Sequence, residues 1–113
     1  MENLSDRNLS KKNLIKRISA KDFNFKDISL SCLDLSDVDL SGVDFTGANL
    51  EGVNFKYAIL TNCNFSDCNI SDADLSYANL TNSILAKADL SGTDFQHANL
   101  TNTDLRDADL DRY

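Results

Sequence analysis

Every fifth residue from Phe25 to Leu110 is Phe, Leu or Ile, and the register runs through 18 consecutive positions without a break. A period of five is neither the 3.6 of a helix nor the 2 of a strand. With each of these large residues taken as a centre, the other positions sort by type. Two residues before it the side chain is mostly small, with seven Ala, three Val, two Cys, two Thr and one Ser after the larger Phe23, Ile28 and Leu33. One before is Asp or Asn in 15 of 18 repeats, one after is Ser or Thr in 11, and two after is Gly, Asn or Asp in 12. The centre and the residue two before it share one side of an extended edge and face inward. The following Gly, Asn or Asp tolerates the positive φ that the third residue of a type II turn requires. Each pentapeptide therefore reads as a short edge followed by a corner. Four edges close a square, and successive squares stack at strand spacing.

The A(D/N)LXX pattern, as in AlaAsnLeuGluGly at 48–52, AlaAspLeuSerTyr at 73–77 and AlaAspLeuSerGly at 88–92, resembles the pentapeptide-repeat family over residues 23–112. The resemblance implies an all-β solenoid, a right-handed quadrilateral β-helix. At twenty residues per coil and ~4.8 Å per coil it has about four and a half coils and stands about 22 Å tall. Residues twenty apart then stack in four columns. These begin Phe25–Phe45–Phe65, Leu30–Leu50–Ile70, Leu35–Phe55–Leu75 and Leu40–Leu60–Leu80.

Residues 1–22 leave the pattern and form a separate N-terminal segment ahead of the 23–113 repeat unit. Leu4, Leu9 and Leu14 are also five apart, but the residues two before them are Glu2, Arg7 and Lys12, which a narrow core cannot hold unpaired. A short helix over 9–18 fits better, with Ser10 as N-cap and Leu14, Ile15 and Ile18 as its apolar stripe. Some family members carry a similar helix before an Asp-Phe junction, matched here by Asp22–Phe23. Such a helix covers the open edge of the first coil. At the other end the sequence stops at Tyr113, which leaves the rims of Leu100, Leu105 and Leu110. Either an end-to-end homodimer covers that edge or Tyr113 lies over it as a partial lid.

The net charge of −7 is unevenly placed. Residues 1–22 hold six basic and three acidic residues, a net +3; residues 23–113 hold five and fifteen, a net −10. A surface that acidic does not bind nucleic acid directly by neutralising phosphates. No apolar run approaches a membrane span and the N-terminus has no apolar leader, so no membrane association is expected. Three Cys without a disulfide pattern suit a reducing cytoplasm.

The chemistry-bearing residues mostly have structural explanations. Asp37–Val38–Asp39–Leu40–Ser41–Gly42 opens like a calcium loop, but its twelfth position is Ala48 rather than Glu; Asp107, Asp109 and Asp111 also alternate without a closing ligand. Both read as a solvated acidic face, with no metal or cofactor expected. Cys63 and Cys68 replace Ala as small core residues, while Cys32, two after a centre, is the more exposed thiol. No phosphate loop, nucleophile elbow or Cys-x-x-Cys is present, so no catalytic residue is assigned. One corner stands apart: Tyr57, Tyr77 and His97 are twenty residues apart and should stack as an exposed aromatic ladder. Ile59 replaces the usual Asp or Asn beside Tyr57, and Ile84 does the same elsewhere. The ladder is either a partner-binding site or a stack that stiffens the corner.

These features point to a non-enzymatic structural or protein-interaction module with an acidic surface. The resemblance adds an alternative through one branch of the family, whose members mimic duplex DNA with an acidic rod and bind DNA gyrase.

Overall fold

A computed structural model describes residues 9–111. Its backbone follows the five-residue period. Fourteen parallel bridges link residues one coil of twenty apart, from Asn24–Asp44 to Asp89–Asp109. All of them involve the residue before a centre. The expected all-β solenoid therefore lacks continuous strands. A corner every five residues leaves one bridging residue per edge, too short a run for a ladder of pairs.

Each edge is nevertheless bonded to its neighbours above and below. On one edge the Leu30 amide donates to Asn49 O at 2.8 Å, the Cys32 amide to Glu51 O at 2.9 Å, and the Asn49 amide returns to Ile28 O at 2.9 Å. The corners close as the turn chemistry predicts. The amide two before the next centre donates back to the previous centre, as Ala48 N does to Phe45 O at 2.9 Å. From residue 27 to 107, every residue two after a centre has positive φ. Gly47 shows why some corners need glycine: its φ is +71, and a Cβ there would collide with the Asp27 carboxylate one coil below.

The residue before the centre holds the corner from outside. Asp44 Oδ1 accepts from the Thr46 amide at 3.0 Å and from its hydroxyl at 2.6 Å. Asn64 makes the same pair of bonds with Ser66 at 2.9 and 2.6 Å. This Asx turn explains why Asp or Asn precedes the centre and Ser or Thr follows it. Many of the acidic residues are thus corner braces as well as surface charges.

Inside, the centres from Phe25 to Leu90 are buried. The Phe45 and Phe65 rings stack 5.2 Å apart at 10°, and Phe55 meets both edge-on at 6.4 and 6.3 Å. Each buried Leu or Phe contributes roughly 1.5–3 kcal/mol. The four faces of the coil take their names from their first centres: Phe25, Leu30, Leu35 and Leu40.

Helix α1 spans Lys11–Ser19, with Ser10 Oγ accepting from the Asn13 amide. Leu14 is buried and Ile18 packs against the core. Ile15 does not join that stripe and is exposed, whereas Leu9 is buried and its amide donates to Ser29 O at 3.3 Å. Leu14 and Ile18 are four apart and share a face; Ile15 is rotated one position off it. Arg17 joins α1 to the first coil. Its Nε donates to Asp22 at 2.9 Å, its Nη2 donates to Asn24 O at 2.8 Å, and its guanidinium lies 4.5 Å over the Phe25 ring.

Candidate functional site

The corner ending the Leu35 face is built by backbone rather than by side-chain preference. Tyr57, Tyr77 and His97 have φ values of 63, 61 and 61°, the left-handed region that bulky residues seldom occupy. The Tyr57 amide donates to Ser76 O at 3.1 Å and the Tyr77 amide to Gln96 O at 2.9 Å, which fixes each residue above the last. The rings consequently stack: Tyr57 on Tyr77 at 4.8 Å and 20°, Tyr77 on His97 at 4.8 Å and 19°. Tyr57 and Tyr77 are 50% and 45% exposed, and Lys56 Nζ lies 5.7 Å from the Tyr57 ring centre. Ile59, on the adjoining Leu40 face, is 41% exposed.

Ile59 and Ile84 interrupt the bracing pattern. Neither side chain can accept a hydrogen bond, so the Thr61 and Ala86 amides lack the carboxylate or amide brace found where Asp or Asn precedes the centre. The Thr61 hydroxyl turns instead to Ser41 Oγ at 3.2 Å.

A contrast of charge across this corner emerges only in the coil. The Leu35 face (33–37, 53–57, 73–77 and 93–97) carries Asp34, Asp37, Asp74 and Asp94 against Lys56 alone. The Leu40 face (38–42, 58–62, 78–82 and 98–102) carries a single charge, Asp39. Its last three coils read TyrAlaIleLeuThrAsn, TyrAlaAsnLeuThrAsn and HisAlaAsnLeuThrAsn when the corner residue is included. The aromatic ladder is thus the boundary between an acidic and a nearly uncharged face. Counting charge by column, rather than along the chain, is the signal that finds it.

The remaining chemistry-bearing side chains serve the coil. Asp39 Oδ1 braces Ser41 through both the amide and the hydroxyl, and these bonds hold its carboxyl below the usual range. The Asp109 carboxylate braces the Asp111 amide. No group of three metal-ligating side chains occurs among the described residues. Cys63 and Cys68 are buried, and burial pushes both thiols up to about 12. Cys63 Sγ donates to Leu40 O at 3.0 Å. Cys32 is exposed, at a corner with φ 63°. At the far end Leu105 and Leu110 are 37% and 46% exposed and Leu100 is half-buried. Tyr113 lies outside the described residues. No described helix is long and apolar enough to cross a membrane.

Comparison with known proteins agrees with this geometry. A family model described as a pentapeptide repeat region matches residues 38–113, and one for pentapeptide repeats in eight copies matches residues 20–47. No curated protein matches the sequence. Among solved structures, a pentapeptide repeat protein from the Arabidopsis thaliana thylakoid lumen is 33% identical, with a TM-score of 0.61 over 77% of this chain and 64% of that one. QnrB1, a plasmid-mediated fluoroquinolone resistance protein, is 22% identical, with a TM-score of 0.64 over 91% of this chain and 55% of that one. The chain therefore spans less than two thirds of either structure's length. The likeness shows the fold, a right-handed quadrilateral β-helix. With the repeat model covering most of the sequence and the coil geometry matching, the chain belongs to the pentapeptide-repeat family.

Proposed function

We propose that this chain is a non-enzymatic protein-interaction module that presents the aromatic corner to a protein partner. The observation that carries this reading is the stack of Tyr57, Tyr77 and His97 at 4.8 Å steps on the outside of the coil. Such a ladder loses little side-chain freedom on docking because its rings are already ordered, and tyrosine is enriched where interfaces hold most of their energy. Ile59 beside it adds apolar surface at a position that elsewhere serves the corner. The presenting unit is residues 23–113, a tower of about four and a half coils at ~4.8 Å each. Helix α1, within the 1–22 segment, covers its first coil through Leu14 and Arg17. Three free thiols suit a cytoplasmic setting. Affinity capture from the native cell tests the reading. The bound proteins should be lost with Tyr57→Ser/Tyr77→Ser; their full retention overturns it.

The charge distribution favours a second reading, a gyrase-binding mimic of duplex DNA, since residues 23–113 carry a net −10. A duplex turn is ~34 Å, so the coil stack of one chain, about four and a half coils at ~4.8 Å each, matches less than one turn, and this reading calls for end-to-end pairing through Leu100, Leu105 and Leu110. Light scattering at high micromolar concentration measures that pairing, and a one-chain mass removes it. A supercoiling assay without inhibition or protection at tens of micromolar removes the gyrase reading.

A further inference from the structure

The boundary position of the ladder narrows the class of partner. A partner seated on Tyr57 and Tyr77 contacts the Leu35 face with one flank and the Leu40 face with the other. The first flank meets Asp74, half-buried at its corner, and Asp94, which is exposed. The second meets the Ile59 side chain and the Asn79 and Asn99 amides, with no charge in those three coils. An acidic segment would be repelled along the first flank. A uniformly basic one would desolvate its charges on the second without return. Resting on the interaction reading above, we propose that the ladder docks an amphipathic basic segment of another protein. Its apolar stripe lies along Tyr57, Ile59 and Tyr77, and its Lys or Arg residues reach Asp74 and Asp94.

Lys56 sets the direction of that arrangement. Its ammonium sits beside Tyr57, at the opposite end of the ladder from Asp94, and offsets part of the charge of Asp34 and Asp37 there, so the face is more negative at the Tyr77–His97 end and the basic residues of the partner gather at that end. Removing this charge should strengthen binding rather than weaken it.

The acidic residues can be neutralised without removing the braces they provide. Asp74 Oδ1 accepts from the Ser76 amide and hydroxyl, and Asp94 Oδ1 from the Gln96 amide at 2.9 Å. Asn54 makes the same brace to the Lys56 amide on this face. Asp74→Asn/Asp94→Asn therefore keeps the corners and deletes two charges. Asp89→Asn/Asp109→Asn does the same on the Leu30 face, where Asn49 and Asn69 already serve as braces.

The test is titration with a synthetic amphipathic Leu–Lys peptide and a Leu–Glu peptide of the same pattern, at low and physiological salt. Thermal melts of each variant check folding. The Leu–Lys peptide should bind and the Leu–Glu peptide should not. Tyr57→Ser/Tyr77→Ser and Asp74→Asn/Asp94→Asn should each weaken binding at least tenfold, Lys56→Gln should tighten it two- to fivefold, and Asp89→Asn/Asp109→Asn should change it less than twofold. Equal losses from the two Asp-to-Asn pairs would show diffuse charge attraction and overturn the proposal. So would binding of the Leu–Glu peptide, or no binding of the Leu–Lys peptide. If cellular partners still depend on the two tyrosines while the Leu–Lys peptide fails, the interaction reading stands and this inference alone falls.

Discussion

The Ser83 hydroxyl stands between the Cys63 amide, which donates to it at 3.0 Å, and the Leu60 carbonyl, to which it donates. It thereby replaces the direct corner bond seen at neighbouring turns such as Ala58 N to Phe55 O at 2.9 Å. The two ends of this link belong to the coil before that of Ser83, so one buried side chain holds a corner of the coil below. Thr93 and Thr103 reach Ile70 O and Leu80 O from the equivalent slot. Polar residues at this slot, two before a centre, are inter-coil ties.

Ser83→Ala should destabilise by about 1–2 kcal/mol, the range for leaving a buried donor and acceptor without their partner, less what is regained if the corner closes directly. Ser83→Thr should be tolerated, because Thr93 and Thr103 make the carbonyl bond from that slot. Urea denaturation of the three proteins checks this. An unchanged midpoint for the Ala variant would mean that the hydroxyl is incidental.

Asp104 gives the clearest pH signature. Hydrogen bonds from the Arg106 side chain, then from its backbone, hold the Asp104 carboxyl at about 2, against an ordinary value of 3.8. The folded state binds this proton less readily than the unfolded state, so the stabilisation is present above the unfolded value and is lost as pH falls from about 4 towards 2. Asp22, Asp34 and Asp39 are shifted in the same direction. Acid unfolding should therefore concentrate below pH 4, and a carboxyl titration followed by NMR should find Asp104 rising towards the ordinary range in Arg106→Ala.

Core substitutions should depend on the coil they fall in. Leu75 is buried within the column, whereas Leu110 on the last described coil is 46% exposed. Leu75→Ala should cost about 2–5 kcal/mol through lost contacts and a cavity, and Leu110→Ala under about 1 kcal/mol. Equal costs by chemical denaturation would mean that the far end is covered in solution, as end-to-end pairing would require.

The coil, its corners, the core columns and the aromatic stack are all legible in the five-residue period, because each repeats one local geometry. The helix is less so. Leu9, ahead of the helix, is buried and Ile15 is exposed, because Leu14 and Ile18 share the face that meets the core and the sequence pattern alone does not show which coil residues that face meets. Arg17 carries no sequence signal because its partners, a carboxylate, a carbonyl and the Phe25 ring, come together only when the helix folds back on the first coil. The nearly uncharged Leu40 face is hidden for a related reason: its residues are scattered at intervals of twenty and meet only in the coil.

Arg17→Ala should loosen α1 from the first coil. Two hydrogen bonds and a cation–π contact are lost at a half-buried site, which amounts to about 1–2 kcal/mol. Arg17→Lys should rescue little, because a lysine cannot form the forked contact. Hydrogen exchange should quicken first at the Leu9 amide and in the helix, with the coils from Phe45 onward unaffected. Uniform quickening throughout would show that α1 and the coils open together.

Ile59→Asn separates stability from binding. Asparagine would supply the missing brace to the Thr61 amide, as Asn79 braces Thr81 one coil above at 3.1 Å, and it would remove exposed apolar surface. The substitution should raise stability by about 0.5–1.5 kcal/mol, the net value of one hydrogen bond. Ile84→Asn should gain a similar amount by supplying the Ala86 amide on the Phe25 face, away from the ladder. If Ile59 serves the partner, Ile59→Asn weakens capture while Ile84→Asn leaves it unchanged, although both raise the melting temperature. Parallel effects of the two substitutions on capture would remove Ile59 from the site and leave the ladder to carry the interface alone.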